Sequence, residues 1–157
     1  MTDNRHKIDV INDLLISVDV IPNSIALAQA ANESGWGSSR FATEYNALFG
    51  EYTYDSKAGI VRFEREEGKK HLVRYFKTLD KSVESYFINI NSHFAYDKFR
   101  KLRKIFRDKN NSFSVNLLVD KLDAYAEDDE YVNTIISIIH HNKLTQYDNI
   151  LSLLTIS

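Results

Sequence analysis

Residues 22–50 read PNSIALAQAANESGWGSSRFATEYNALFG, and the fold turns on how this stretch divides. Pro22 is the only proline in the chain and suits the first position of a helix, where its missing N–H costs nothing. Ala26, Ala28, Ala30 and Ala31 follow. Small side chains let a neighbouring helix approach closely, so the segment from Pro22 to about Ser34 is expected to be a helix in the domain centre. Gly35 ends it, as glycine does just past a helix C-cap. Trp36 to Ser39 form a turn, residues 39–45 a short helix, and Asn46 to Gly50 a second turn.

Upstream, Ile8, Ile11, Leu15 and Val18 recur at helical spacing and predict an amphipathic helix over residues 5–18. Downstream the composition changes. Tyr52, Tyr54, Ile60, Val61, Phe63, Leu72, Val73, Tyr75 and Phe76 favour strands. Glu66-Glu67-Gly68-Lys69-Lys70 suits a hairpin loop between them. A β-hairpin is expected over residues 60–76, within a small β-lobe of about residues 51–76. Helical stripes then return: Val83, Tyr86, Phe87 and Ile90; Phe99, Leu102, Ile105 and Phe106; Val115, Leu118 and Leu122; and Tyr131, Ile135, Ile138 and Ile139. Asn110-Asn111-Ser112 interrupts them, and Ile150, Leu151 and Leu154 suggest a last helix. The fold class is mainly α (α+β): one helical domain across residues 1–157 with a small β-hairpin lobe.

The net charge of −2 argues against a nucleic-acid partner, which would call for a basic face. With no cysteine, disulfides and thiolate metal sites are excluded. No apolar run approaches the ~20 residues of a membrane helix. The N-terminus MTDNRHKIDVINDLL lacks the apolar core of a signal peptide. His140 and His141 are adjacent, and neighbours on a helix point about 100° apart, a poor arrangement for two metal ligands. No metal and no cofactor are expected, and the chain is expected to be a monomer.

The chemistry concentrates in Ala26 to Gly37, ALAQAANESGWG. Glu33 falls in the last turn of the alanine-rich helix. Partial burial and the negative end of the helix dipole both disfavour its charged form. A carboxyl kept protonated near neutral pH is what a glycosidase general acid requires. The alternative is that Glu33 only hydrogen-bonds the turn at Gly35. On the hairpin, Glu64 and Glu66 share one strand face while Arg65 takes the other. One of the glutamates Glu64, Glu66 and Glu67 is a candidate base, against the reading of a solvated hairpin tip. Spacing does not choose among them. Tyr96, in Ser92-His93-Phe94-Ala95-Tyr96, is suited to orienting a sugar or to packing in the core. A cleft between the helical body and the hairpin is expected, with Trp36, Phe49, Tyr52 and Tyr96 lining it.

Together, A-x-A-A-x-E-S-G-W-G, N-x-L-F-G at residues 46–50, Phe76-Lys77-Thr78, Ser82-Val83-Glu84-Ser85-Tyr86, Asn91 to Tyr96, Tyr131-Val132 and Asn142-Lys143-Leu144 resemble the glucosaminidase domain of glycoside hydrolase family 73. Within that family the pattern is most similar to the bacterial Bax-like proteins, and more distantly to the FlgJ muramidase domain. The resemblance covers about residues 20–147. It implies a lysozyme-like fold and an endo-β-N-acetylglucosaminidase. Such an enzyme hydrolyses the β-1,4 bond between N-acetylglucosamine and N-acetylmuramic acid in peptidoglycan glycan strands. It implies Glu33 as general acid, Glu64 as second carboxylate in the context Phe63-Glu64-Arg65-Glu66-Glu67-Gly68, and Tyr96 as the family tyrosine. Trp36, Asn46, Phe49, Tyr52, Glu66 and His93 are the candidate substrate-binding residues. A bacterial periplasm or cell envelope is the expected location, with any signal or anchor not present in this chain. A lytic transglycosylase or muramidase of the same superfold is the competing reading, and its usual G-L-M-Q is replaced here by N-A-L-F-G. A non-catalytic glycan-binding module is the other, and it would not need the intact Glu33 motif.

Overall fold

The computed structural model describes residues 2–60, 72–109, 112–126 and 128–149, with side chains from residue 6 onward. The described helices are α1 Thr2–Ser17, α2 Asn23–Ser34, α3 Arg40–Tyr45, α4 Leu79–Ser92, α5 Asp97–Asp108, α6 Val115–Val119 and α7 Tyr131–His141. The described strands are β1 Tyr52–Thr53, β2 Gly59–Ile60 and β3 Leu72–Arg74. This is the expected mainly helical chain with a small sheet. No helix among the described residues is long and apolar enough to cross a membrane. The chain forms two compact units, Leu27–Ile88 and Met1–Ala26 with Asn89–Ser157; α2 and α4 contribute residues to both.

In the unit Leu27–Ile88 the sheet is antiparallel with order β1-β3-β2. Gly59 pairs with Arg74 and Ile60 with Val73, so the two sides of the expected hairpin meet at its base. The sheet is larger than that hairpin, because β1 joins the other edge of β3, Tyr52 opposite Val73. Val61, Phe63 and the Glu66–Lys70 loop lie outside the described residues. Gly59 is fixed by crowding, since a Cβ there would lie 2.5 Å from the Leu72 Cβ and 2.6 Å from the Thr53 Cγ2. The core of this unit includes Ala28, Phe49, Val73 and Tyr86. Tyr86 donates its hydroxyl to the Gln29 Oε1 at 2.7 Å. Burying that phenol therefore leaves no orphaned polar atom on the ring.

In the other unit Ile25, Ile90, Phe99, Leu118, Leu122, Ile135 and Ile139 are fully buried. The periodicity of α5 predicts an apolar inner stripe, but its buried side chains are Phe99, Arg100 and Arg103, and Ile105 is exposed. Backbone carbonyls make this possible. Arg100 Nη1 donates to the carbonyls of Ile90 and His93 at 3.0 and 2.7 Å. Arg103 donates to those of Ile16, Asp19 and Val20 at 2.8–3.1 Å. Those bonds also explain how α1 is held. The expected stripe of Ile8, Ile11 and Leu15, with Val18 just past the helix end, is more than half exposed, so the end of α1 is fastened by Arg103 rather than by burial of the stripe.

The start of α2 departs from expectation by one position. The Pro22 carbonyl accepts the N–H of Ala26, which makes Pro22 the cap rather than the first helical residue. Proline has no side-chain acceptor, and Asp148 supplies one. Its Oδ1 accepts the Ser24 N–H at 2.7 Å, and its Oδ2 accepts the Ser24 hydroxyl at 2.8 Å. The suggested last helix at Ile150, Leu151 and Leu154 lies outside the described residues.

Candidate active site

Helix α2 ends in a defined left-handed turn. The Trp36 N–H donates to the Ala31 carbonyl at 2.7 Å and the Gly35 N–H to that of Asn32 at 3.4 Å, the two bonds of a Schellman closure. Glu33 is then the last residue wholly inside the helix, half-buried and at the negative end of its dipole. Gly35, Trp36 and Gly37 all have positive φ, at 58°, 57° and 76°. For a tryptophan this is a strained conformation that its surroundings must impose. The Ser34 hydroxyl accepts the Gly37 N–H at 2.7 Å and the Ser34 carbonyl accepts the Ser39 N–H at 3.0 Å. Thus the turn is pinned on both sides of Trp36, whose side chain is 66% exposed. It is not a core residue.

Asn32 and Gly50 stand beside the Glu33 carboxyl. Asn32 Nδ2 donates to its Oε1 at 3.3 Å. Its Oε2 faces Gly50, where a Cβ would stand only 3.0 Å away. Gly50 also has φ +61°, so conformation and contact both require glycine. The N-A-L-F-G turn is thereby brought to the carboxyl of the E-S-G-W-G turn.

Helix α4 holds the N-A-L-F-G turn in place. The Ser82 hydroxyl accepts the Leu48 N–H at 3.2 Å. Phe49 stacks on Tyr86 with centroids 4.0 Å apart and planes 13° from parallel. Phe49 is 3% exposed, so its ring offers no open face to a sugar. Asn46 serves the backbone as well. With φ +53° it ends α3, and its Nδ2 donates to the Phe76 carbonyl at 3.1 Å. Tyr52 on β1 is exposed, as a sugar platform needs to be.

Nothing in the sequence singles out Glu51. Its side chain is 9% exposed beside Arg74, whose Nη1 lies 3.8 Å from Oε2. Ser85 donates its hydroxyl to the same Oε2 at 2.8 Å and accepts a bond from Arg74 Nη1 at 2.9 Å. Burial pushes the Glu51 carboxyl above the usual range, against the opposing effects of the Ser85 bond and the Arg74 charge.

Tyr96 and His93 belong to the other unit. Tyr96 is 7% exposed, with its ring 6.0 Å from Tyr125, which stacks on Tyr131 at 5.6 Å. His93 is exposed and caps the turn Phe94–Tyr96, its Nδ1 accepting the Ala95 N–H at 3.3 Å. Glu64 and Glu66 lie outside the described residues. His140 is engaged by Asn116, Nε2 to Oδ1 at 3.1 Å.

A model of the glucosaminidase family, described as mannosyl-glycoprotein endo-beta-N-acetylglucosaminidase, matches residues 9–144. The chain belongs to the glucosaminidase family. The E-S-G-W-G and N-A-L-F-G motifs point to the same family. The chain is 34% identical over 133 residues to Protein bax of Escherichia coli (strain K12), covering 84% of this chain and 47% of that protein. It is 27% identical over 138 residues to exo-glucosaminidase LytG of Bacillus subtilis (strain 168), covering 83% of this chain and 47% of that one. The chain thus spans about half the length of these curated relatives. Its fold is similar to that of the catalytic domain of the autolysin Auto from Listeria monocytogenes, with TM-score 0.59 and 24% identity over 80% of this chain and 74% of that one.

Proposed function

We propose that this glucosaminidase hydrolyses the β-1,4 bond between N-acetylglucosamine and N-acetylmuramic acid in peptidoglycan, with Glu33 as the general acid. The observation that carries the reading is the placement of the Glu33 carboxyl. It stands at the closed end of α2, half-buried, with Oε2 against Gly50 of the family-type N-A-L-F-G turn. Partial burial and the dipole at a helix C-terminus both favour a carboxyl that keeps its proton. The exposed Trp36 and Tyr52 rings are suited to stacking on sugar faces. Glu64 is our choice for the second carboxylate and Glu66 for a substrate contact. We place the enzyme at the cell wall, in the periplasm or envelope.

The test is Glu33→Gln on purified peptidoglycan, with products read by mass spectrometry. The variant should bind glycan and release almost no product. Wild-type clearing by the variant would remove Glu33 from the mechanism. Reducing N-acetylglucosamine ends support hydrolysis, and anhydro ends would make the enzyme a transglycosylase. The similarity to LytG, an exo-glucosaminidase by name, favours a second reading in which sugars leave from chain ends. Endo cleavage shortens long strands from the first minutes, whereas exo cleavage releases small fragments while strands stay long.

A further inference from the structure

Gly50 forms the wall against Glu33 Oε2, and glycine is the residue least able to hold a conformation by itself. Its position must be imposed by its neighbours. On the N-terminal side Phe49 is fixed by stacking on Tyr86. On the C-terminal side the side-chain anchor is Glu51, bonded to Ser85, the residue preceding Tyr86 on α4. Arg74 orients that bond: by donating to the Ser85 oxygen it leaves the Ser85 hydroxyl proton directed at Glu51 Oε2. The Arg74 N–H also holds the Glu51 carbonyl at 2.7 Å.

A carboxylate is a costly anchor in this place. Glu51 Oε1 is buried and has no hydrogen-bond partner among the described residues. An unsatisfied buried polar atom weakens a fold, and its presence calls for an explanation. A turn needing only to be fastened has the Leu48–Ser82 bond and the Phe49 stack already. What those two do not restrain is the peptide following Gly50.

We propose that Glu51 is a positioning residue for the general acid: held to α4 through Ser85, it keeps the Gly50 turn seated against the Glu33 carboxyl and so fixes the direction in which that carboxyl delivers its proton. The inference rests on Glu33 being the acid. Glu51 itself touches no reacting atom. Without the side-chain anchor, the C-terminal side of Gly50 is held by the Arg74 N–H bond to the Glu51 carbonyl, and the wall facing Oε2 is looser. Misplacing a reacting group by ~1 Å costs on the order of 10²-fold in rate, so even a partial loosening is measurable.

The experiment compares Glu51→Ala, Glu51→Gln, Ser85→Ala and Glu33→Gln on soluble glycan oligomers released from purified peptidoglycan. For each, kcat, KM, thermal midpoint and hydrogen exchange at the Gly50 amide are measured well below the midpoint. Glu51→Ala and Ser85→Ala should lose about tenfold or more in kcat, with KM nearly unchanged and faster exchange at Gly50 than in α2. Glu51→Gln should recover most of the rate, because its amide oxygen accepts the same Ser85 hydroxyl. Wild-type kcat in folded Ser85→Ala, or no recovery in Glu51→Gln, would overturn the proposal. If Glu51→Ala fails to fold, Ser85→Ala decides. Full activity in Glu33→Gln overturns the acid assignment and this inference with it. An inactive Glu33→Gln beside a fully active Ser85→Ala overturns the positioning role alone.

Discussion

At the scale of single residues, the site is built where side chains do what their backbone would rather avoid. Trp36 adopts φ +57° while 66% exposed, so the fold holds a bulky residue in a conformation that glycine accepts freely. Trp36→Gly should therefore raise stability by about 1 kcal/mol, since the left-handed penalty disappears and little packing is lost. The same change should weaken glycan binding about tenfold, in the range of one aromatic stacking contact. Titration calorimetry and thermal melting on one sample read both, and unchanged affinity would make Trp36 a bystander. Glu33→Gln should fold as wild type and lose about 10²–10⁴-fold in rate, the usual contribution of a general acid. Glu33 is legible in the sequence because its setting is local: a helix, a glycine stop and a turn lie within a few residues. Phe49 reads there as a sugar platform because its stacking partner, Tyr86, comes from a helix distant in sequence. Glu51 gives no signal at all, since its burial depends on Ser85 and Arg74.

At the scale of elements, helix ends are more legible than helix faces. Pro22 and Gly35 mark the limits of α2 to within one residue, because both act through backbone geometry. Apolar periodicity misjudges the inner face of α5, because it ignores arginines that backbone carbonyls can satisfy. The strand pairing with β1 is hidden for a similar reason: two-residue strands carry too little pattern to read. The cap of α2 is also hidden, since Asp148 reaches Ser24 from the far end of the chain. Asp148→Ala leaves a helix N–H and a buried hydroxyl without acceptors and should cost about 1 kcal/mol, the usual loss of an N-cap. Asp148→Asn keeps one acceptor and should cost less. Equal midpoints for Asp148→Ala and wild type would show that water replaces the cap.

For the whole molecule, two carboxylates give stability opposite dependences on pH. At Asp19 burial raises the pKa, but it is outweighed by the Arg107 bond, the Val20 N–H and the charges of Arg107 and Arg103, leaving the carboxyl below its usual range. The geometry is a two-point fork, with Arg107 Nε and Nη2 at 3.1 and 2.8 Å. Arg103 is pushed down to about 10 by burial, still charged at neutral pH. A group whose folded pKa is depressed adds stability above its unfolded pKa and loses it as pH falls through the folded one. Glu51 is the reverse. Its raised pKa means that the unfolded chain releases the proton first, so stability declines as pH rises from the unfolded value to the folded one. Asp19→Asn should therefore melt below wild type at neutral pH and converge with it in acid. Relative to wild type, Glu51→Gln should gain stability as pH rises from acid to neutral. Thermal midpoints from about pH 3 to 8 separate the two cases. Parallel Asp19→Asn and wild-type curves across that range would mean that the Asp19–Arg107–Arg103 cluster contributes packing and hydrogen bonds without charge. Parallel Glu51→Gln and wild-type curves would mean that burial at Glu51 is relieved by water reaching Oε1.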